Sequence, residues 1–205
     1  MHVQRVFTSK LIRYVFLVVD YVCRVMDVKT KKVRTLPRPI YSLSQDGRWA
    51  ITTDFSRVQR MRPGYGYVGS TDPAALERAP ESSGVWRMDM DTGESELIFS
   101  LADAAKIEHQ GKPLTDHWNY FNHLLVSPDS SRFIVLHRWK KDNGDTKNPQ
   151  PIGGFTTRMF TVAMDGSDRC NLDPSGNTSH FIWKDPEFIC AWTRPKNKSA
   201  GFYLM

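Results

Sequence analysis

The sequence contains few cysteines. There are three, an odd number: Cys23, Cys170 and Cys190. No two of them have CxxC spacing. A disulfide framework needs paired cysteines and a zinc knuckle needs closely spaced ones, so neither is indicated. We predict that the three thiols are reduced and buried and that the protein is cytoplasmic.

Long apolar runs are missing as well. The run at 14–19 has six residues between Arg13 and Asp20, whereas a membrane-spanning helix needs about 18 or more. This run is also too short for a signal peptide, and no small-residue cleavage site follows it. We predict that it forms a strand and that the chain has no membrane span.

Several catalytic motifs are absent. The sequence has no Gly-x-Ser-x-Gly elbow, no phosphate-binding glycine loop and no close pair of acids at a strand end. A serine hydrolase, a nucleoside triphosphatase and a retaining glycosidase therefore lack support. Helical periodicity is confined to 102–108, and the rest of the pattern favours strands.

The chain carries a modest excess of positive charge. Its 205 residues include 28 lysines and arginines and 22 acidic residues, for a formal net charge of +6. Local excesses occur at 29–38, 57–62 and 194–198. A cationic face favours an anionic partner, and we expect an acidic oligosaccharide rather than a nucleic acid. Solvated lysines on strand edges are the alternative explanation.

The clearest local pattern is a hairpin within 118–139. Apolar runs at 124–126 and 133–136 have strand length, and the turn between them reads Ser-Pro-Asp-Ser. Proline presets φ, while aspartate and serine side chains bond to the local backbone. His123 precedes the first strand and His137 follows the second, so antiparallel pairing is expected to bring both to one edge.

Two types of hairpin alternate along the chain, each with an aspartate in its turn. The first type spans 22–36, 85–101 and 158–172, and the second spans 40–53, 124–136 and 181–192. Four short strands per repeat are typical of a β-propeller blade. The pattern therefore predicts an all-β fold of antiparallel four-stranded blades.

The repeats are incomplete in number. We predict full blades at 39–101 and 119–172, lengthened by insertions at 55–83 and 102–119, and partial blades at 12–36 and 177–205. A propeller closes with about 4 to 8 blades. Residues 1–205 are therefore expected to form a single incomplete propeller domain, an open arc that tends to self-associate.

Two histidines occupy equivalent positions in consecutive blades. His123 precedes 124–126 and His180 precedes 181–183, which are the innermost strands and line the axial channel. Their imidazoles are expected to face each other near the channel mouth, together with His137, and imidazole is a ligand for Zn, Mn, Fe or Cu. Alternatively, each ring bonds a backbone carbonyl or a neighbouring blade.

An arginine-rich segment precedes an aromatic loop in the first insertion. Arg57, Arg60 and Arg62 are followed by Pro-Gly-Tyr-Gly-Tyr, which contains Tyr65 and Tyr67. Such a loop stacks on a sugar ring while arginines hold carboxylates in fork geometry. A loop that merely caps the blades is the alternative.

The Ser-Pro-Asp-Gly type of turn, at 44–47 and 127–130, combines with histidines at blade entrances and the 57–67 segment. Over most of 21–205 this combination resembles TolB-like propellers of the Tol-Pal type and, among them, the oligogalacturonate lyases. The resemblance implies a seven-bladed propeller whose central manganese-type ion is held by histidines and a glutamine and binds a uronate carboxylate.

The family's Gln-x-x-His-x-His run falls on 177–182. Asn177 stands at the glutamine position, His180 at the first histidine and Ile182 at the last. The resemblance therefore implies that His123, His180 and Asn177 are the residues that hold a divalent metal, most simply manganese.

Two functions follow from these observations. The first is metal-assisted β-elimination on uronate oligosaccharides, with His137 as the base and Arg57 or Arg62 at a carboxylate. The substrate-binding candidates are Arg60, Tyr65, Tyr67 and Asn122. The second function is a non-catalytic propeller that binds a protein or glycan through the same rim, because fold alone does not decide function.

Overall fold

The computed structural model describes residues 21–205, and the strand predicted at 14–19 lies outside that part of the chain. The described residues form thirteen strands and two short helices. The strands make four sheets, each an antiparallel meander in chain order. The prediction of an all-β, antiparallel architecture is confirmed.

The sheets follow one another along the chain. The first sheet contains β1 (Cys23–Met26) and β2 (Val33–Leu36), and the second contains β3 (Ser42–Leu43), β4 (Trp49–Thr53), β5 (Gly84–Asp89) and β6 (Ser95–Ser100). The third contains β7 (Trp118–Val126), β8 (Arg132–Asp142), β9 (Pro151–Ala163) and β10 (Cys170–Gly176). The fourth contains β11 (Phe181–Trp183), β12 (Ile189–Thr193) and β13 (Gly201–Leu204).

The turns that open the second and third sheets share one design. The Ser44 hydroxyl donates to Asp46 at 2.5 Å, and the Ser127 hydroxyl donates to Asp129 at 2.6 Å. Each serine oxygen also accepts the first backbone N–H of the next strand, at 2.9 and 3.1 Å. The hydrogen bond from serine lowers the pKa of both aspartates, because it favours the charged form of the carboxyl group.

Apolar side chains fill each gap between consecutive sheets. The gap between the first and second sheets contains Cys23, Leu36, Ala50, Met88 and Met90. The largest core lies between the second and third sheets and includes Phe99, Phe121, Phe133, Val135 and Phe160. The gap between the third and fourth sheets contains Ile134, Leu136, Met159, Trp183 and Ile189. The four sheets therefore stand face to face in a row, as blades do.

Hydrogen bonds tie the first strands of consecutive sheets together. The Val126 N–H donates to the Ser42 hydroxyl at 3.1 Å, and the Trp183 indole N–H donates to the carbonyl of Leu125 at 3.1 Å. The strands β3, β7 and β11 therefore lie side by side along one edge of the row. Within 21–205 the row does not close on itself, and the number of blades in a complete ring stays a prediction.

Two helices lie in the insertions. Helix α2 (Leu101–Lys106) begins one residue before the predicted stretch, and the Ser100 hydroxyl caps it by accepting the Asp103 N–H. Helix α1 (Phe55–Met61) lies where no helix is predicted, although its buried Phe55, Val58 and Met61 recur at helical spacing. No helix in the described part of the chain is long and apolar enough to span a membrane.

Two further expectations need correction. Cys23 is buried, but Cys170 is exposed because it begins β10, the edge strand of the third sheet, and Cys190 is half-buried. The hairpin of β8 and β9 is also much longer than the predicted strands at 133–136 and 158–164. Residues of the additional length, Arg138 and Phe155, line the site described next.

Candidate functional site

A cleft of about 550 Å³ lies between the third and fourth sheets, beside the loop that follows α1. Five of the ten residues predicted for the site line this cleft: Arg62, Tyr65, His123, Asn177 and His180. The remaining five do not. Lining residues that the sequence does not single out include Tyr41, Arg138, Phe155 and Thr157.

His123 occupies a β-bulge in β7. The ladder pairs its neighbours Asn122 and Leu124 with consecutive residues of β8, so His123 itself has no partner across the ladder. Its φ is 51°, in the left-handed region that few residues other than glycine adopt, although asparagine, aspartate and histidine enter it more often than the rest. Such a bulge re-aims a side chain, and here it accompanies an imidazole that lines the cleft.

Tyr41 fixes the orientation of this imidazole. Its hydroxyl oxygen accepts the backbone N–H of His123 at 3.0 Å and lies 3.2 Å from Nδ1 of the same residue. Because the oxygen already accepts one hydrogen bond there, we assign its own proton to the bond with Nδ1. This arrangement places the ring proton on Nε2, which becomes a donor toward a ligand.

His123 is uncharged at neutral pH. Burial, the largest cause, acts together with the positive charges of Arg138 and Arg62 and a smaller contribution from His180 to lower its pKa to about 4. A neutral imidazole next to two guanidinium groups offers a hydrogen bond without adding a third positive charge.

The two guanidinium groups flank one aromatic ring. Those of Arg62 and Arg138 lie 4.9 and 4.5 Å from the ring centroid of Phe155, and that of Arg62 also lies 3.6 Å from the centroid of Tyr65. Cation–π contacts of this kind hold the arginines in place. Within 21–205, neither arginine forms an ion pair, and no acidic residue lines the cleft.

The connection between β10 and β11 forms the opposite wall. His180 is exposed, and its Nδ1 lies 2.9 Å from the Ser179 hydroxyl. Asn177 is also exposed, and its amide donates to the carbonyl of Ser175 at 3.1 Å. Buried Asp173 anchors this wall by accepting hydrogen bonds from the hydroxyls of Thr178, at 2.6 Å, and Thr193.

His137 does not reach the cleft, which corrects its predicted role as the base. Its side chain is fully buried, and its Nε2 lies 2.8 Å from Oδ1 of Asn119. Arg158 donates its Nε–H to Nδ1 at 3.1 Å, so both ring nitrogens are occupied. Arg158 in turn donates to the carbonyls of Ala104, Ile107 and Glu108 at the end of α2. The group stabilises the packing of α2 on the third sheet.

Arg57 is also placed away from the cleft, so its predicted role at a substrate carboxylate needs correction. It is 1% exposed and pairs with buried Asp72 at 3.2 Å. Its remaining donors bond to the carbonyls of Ala74, Glu77, Arg78 and Asn119. Arg57 thus fastens the first insertion to β7.

Three predicted substrate-binding residues lie near the cleft without lining it. Arg60 covers the ring of Trp118, with its guanidinium carbon 4.6 Å from the ring centroid. Tyr67 stacks on Phe55 at 4.3 Å, where it supports the loop. Asn122 is 1% exposed, next to His123 in the bulged strand.

Tyr41 and Arg138 line the cleft but are not among the residues predicted for the site. Tyr41 lies just before the second-sheet hairpin, and its partner His123 is 82 positions away, so no local pattern joins them. Arg138 follows His137 on β8, and strict alternation puts it on the opposite face of the sheet. That alternation would have identified Arg138 if β8 had been predicted at its full length.

A manganese-type ion does not fit the described residues. Within 21–205, no three side chains of His, Cys, Asp or Glu converge on one point. His123 already uses Nδ1 for Tyr41, and its charged neighbours are guanidinium groups rather than carboxylates. Repulsion by these cations opposes a divalent metal beside His123 and His180.

No protein-family model matches the chain, and no curated protein matches it. Among solved structures, a Pyrococcus horikoshii acylaminoacyl peptidase is 11% identical with a TM-score of 0.49, over 89% of this chain and 26% of that one. A Kuenenia stuttgartiensis hydrazine synthase is 14% identical with a TM-score of 0.44, over 84% of this chain and 43% of that one.

An oligogalacturonate lyase in complex with manganese is 14% identical with a TM-score of 0.44, and the match covers 90% of this chain and 48% of that one. The chain thus spans between about a quarter and a half of the length of these three proteins. Similarity at this level assigns neither an activity nor a metal to the chain, and the TolB-like relationship stays a prediction.

Proposed function

We propose that the cleft binds a carboxylate-bearing oligosaccharide of the uronate class. The observation that carries this proposal is the pair of guanidinium groups, Arg62 and Arg138, around a neutral His123 in a cleft to which the described residues 21–205 contribute no acidic side chain. An uncompensated positive charge in a partly enclosed site attracts an anion strongly, because the surroundings screen it less than water does.

The size and the lining of the cleft agree with a sugar. A volume of about 550 Å³ falls within the usual range for small-molecule sites. Tyr65 and Phe155 are exposed aromatic side chains at its edge, and such rings pack against the apolar faces of sugars. The Nε2–H of His123 and the amide of Asn177 supply neutral polar groups for hydroxyl oxygens.

Binding of oligogalacturonate by isothermal titration calorimetry tests this function. The wild-type protein is expected to bind the acid form and to lose affinity for its methyl ester, and salt should weaken binding of the acid. Arg62→Met should lower the affinity about 10-fold or more, because hydrogen bonds to charged groups contribute roughly 1.5–3 kcal/mol.

Arg60→Met is the matched control, because Arg60 belongs to the same segment but contacts Trp118 outside the cleft. Equal affinity for the acid and its methyl ester would overturn the proposal, and so would the absence of binding to either.

β-Elimination is the second candidate function. It is favoured by His180, which is exposed on the wall opposite the arginines with Nδ1 beside Ser179, so that Nε2 faces no partner within 21–205. In this step the guanidinium groups neutralise the carboxylate, and His180 takes the proton from the adjacent carbon. The released electron pair forms a carbon–carbon double bond, the glycosidic carbon–oxygen bond breaks, and the leaving oxygen takes a proton from solvent water.

The ultraviolet absorbance of the unsaturated product distinguishes elimination from binding alone. His180→Ala should abolish product formation while Arg60→Met leaves it intact. Binding without any product, with or without added manganese, would favour the non-catalytic platform. Elemental analysis of the purified protein tests the metal, and the charges around His123 lead us to expect no tightly bound manganese.

A further inference from the structure

A second and larger groove adjoins the cleft. Its volume is about 840 Å³, and residues of β10, the edge strand of the third sheet, and β13, the edge strand of the fourth, line it. We call it the outer groove, and its polar lining residues are Gln110, Asp173, Ser175, Arg194, Lys196, Lys198 and Tyr203. None of them belongs to the lining of the cleft.

One segment of the chain separates the outer groove from the cleft. Residues 172–175 line the groove, and the residues that follow them, 176–181, line the cleft. Asp173 fastens both sides, because its carboxylate accepts hydrogen bonds from Thr178 in the cleft wall and from Thr193, which immediately precedes the loop of the outer groove. A ligand in the form of a chain therefore needs to cross only this segment to occupy both.

The outer groove carries an excess of positive charge. Arg194, Lys196 and Lys198, which form the basic stretch at 194–198, are exposed, and none of them has an ion pair within 21–205. The one acidic residue that the described chain contributes to the lining is Asp173, which is 5% exposed. Its oxygens accept the Ser175 N–H and the two threonine hydroxyls. This carboxylate is thus occupied by protein donors, whereas the three cations are free to attract an anion.

A turn orders the loop that carries these cations. The Lys198 N–H donates to the carbonyl of Pro195 at 3.1 Å, and the third residue of this turn, Asn197, has a φ of 62°, which suits asparagine. The Lys198 ammonium lies 5.5 Å from the ring centroid of Tyr203, and the Tyr203 hydroxyl donates to the carbonyl of Ser199 at 2.7 Å. These contacts fix the loop between β12 and β13 beside the groove.

We infer that the outer groove binds the acidic sugars that extend beyond the cleft, so that the site takes an oligouronate chain rather than a single uronate. The identity of the ligand rests on the proposed function. A chain of uronates carries one carboxylate on each sugar and therefore matches cations that are distributed along a groove, whereas a small anion would contact only part of them. Lysine suits this role, because its ammonium is a point charge on a flexible stem.

Calorimetric titration with digalacturonate and hexagalacturonate tests the inference. The wild-type protein is expected to bind one hexamer per chain, more tightly than the dimer and with a steeper dependence on salt. The groove variant combines Arg194→Gln, Lys196→Gln and Lys198→Gln. It should bind the hexamer about 10- to 100-fold more weakly, since each exposed charge contributes about 2- to 5-fold. Its affinity for the dimer should change little, because the cleft holds the dimer.

A control variant removes the same amount of charge at the other end of the row of sheets. It combines Lys29→Gln, Lys31→Gln and Lys32→Gln, in the exposed turn of the first sheet. The general attraction of a basic protein for a polyanion falls equally in both variants, so a loss confined to the groove variant is local. Because all six side chains are exposed, both variants should melt at the wild-type temperature.

Arg62→Met, in the cleft, separates the inference from the proposed function. If Arg62→Met weakens both ligands while the groove variant binds the hexamer like the wild type, the inference is wrong and the proposed function stands. If the groove variant loses the hexamer while Arg62→Met binds both ligands normally, the proposed function is wrong and the groove is no extension of the cleft. If the wild-type protein binds neither ligand, both are wrong.

Weaker hexamer binding in the groove variant alone, with unchanged dimer binding and one hexamer per wild-type chain, supports the inference. An equal loss in the control variant overturns it, because charge anywhere on the surface would then suffice. Two hexamers per chain also overturn it, because the groove and the cleft would bind independently. If a thymidine hexanucleotide binds as tightly as hexagalacturonate and loses affinity in the groove variant, the groove takes single-stranded nucleic acid and the oligouronate is wrong.

Discussion

Arg158 donates its Nε–H to Nδ1 of His137 over 3.1 Å, and both side chains are fully buried. A ring nitrogen that accepts from a guanidinium cannot carry a proton, so His137 is held neutral. Burial lowers its pKa well below the ordinary value, and the charge of Arg158 acts in the same direction. His123 is neutral as well, through burial and two other arginines. The fold therefore contains two histidines that resist protonation.

The first prediction concerns acid stability. Both histidines have folded-state pKa values below the unfolded value of about 6.5, so their contribution is complete above pH 6.5 and is lost as pH falls. For His123, whose pKa is about 4, the loss between pH 6.5 and 4 is on the order of 3 kcal/mol. Melting temperatures measured at pH 8, 7, 6 and 5 should decline below pH 6.5.

His123→Asn provides the control, because asparagine tolerates the left-handed φ of this position. Its melting temperature should depend less on pH over the same interval. A wild-type melting temperature that stays constant between pH 7 and 5 would contradict the assignment of His123 and His137 as neutral histidines.

The second prediction concerns the buried pair of Arg57 and Asp72. Arg57→Met leaves the Asp72 carboxylate buried without its counter-ion, and it frees four carbonyls that Arg57 satisfies. Removing one partner of a buried pair commonly costs about 3–5 kcal/mol. Chemical denaturation should detect this loss, whereas Arg34→Met, which breaks an exposed pair with Asp91 at 3.9 Å, should have little effect. Similar stabilities for both variants would refute the fastening role of Arg57.

The third prediction concerns the loop that contributes Tyr65. A Cβ at Gly66 would lie 2.1 Å from the carbonyl oxygen of Phe55 and 2.3 Å from the backbone nitrogen of Gln59, so the loop must move away from α1. Overpacking of this kind costs about 1–3 kcal/mol, and about 1 kcal/mol shifts the melting temperature of such a domain by 2–4 °C. Gly66→Ala should therefore melt earlier and bind ligand more weakly.

Gly154→Ala is the matched control for this glycine, because a Cβ there meets no atom within 4 Å and its backbone is not left-handed. Its melting temperature should equal that of the wild type. An equal decrease in melting temperature in both variants would indicate a general effect of alanine rather than a clash with α1.

The fourth prediction concerns Asp173, whose carboxylate joins the cleft wall to β12 through Thr178 and Thr193. Asp173→Ala removes the acceptor for two buried hydroxyls, which costs about 1–3 kcal/mol. Because His180 follows Thr178 by two positions, its amide should exchange with solvent faster in this variant. Hydrogen exchange measures both effects, and an unchanged exchange rate across 177–181 would argue against the anchor.

The sequence predicted much of the fold because its two signals are local. Serine and aspartate two positions apart close the turns at Asp46 and Asp129, and alternating apolar residues mark the strands on either side. The parts of the fold that the sequence did not predict depend on contacts between residues far apart in the chain. The bulge at His123 breaks the alternation of β7, so only its last three residues read as a strand, although the strand begins at Trp118.

The candidate site was predicted less completely, for a similar reason. Equivalent positions in the repeats indicated His123 and His180, which both line the cleft. Burial cannot be read from the same pattern, because it depends on partners far along the chain. The contact of His137 with Arg158 joins residues 21 positions apart. Arg57 is buried by its contacts with a loop whose sequence has no periodic pattern.

The φ of 51° at His123 has an evolutionary consequence. Glycine and asparagine occupy that backbone region with less strain, so selection for stability alone would favour either of them over histidine here. Homologues in which the cleft has lost its role should therefore drift toward glycine or asparagine at this position. Lineages that retain histidine there, against that drift, should be the ones in which the imidazole is still used.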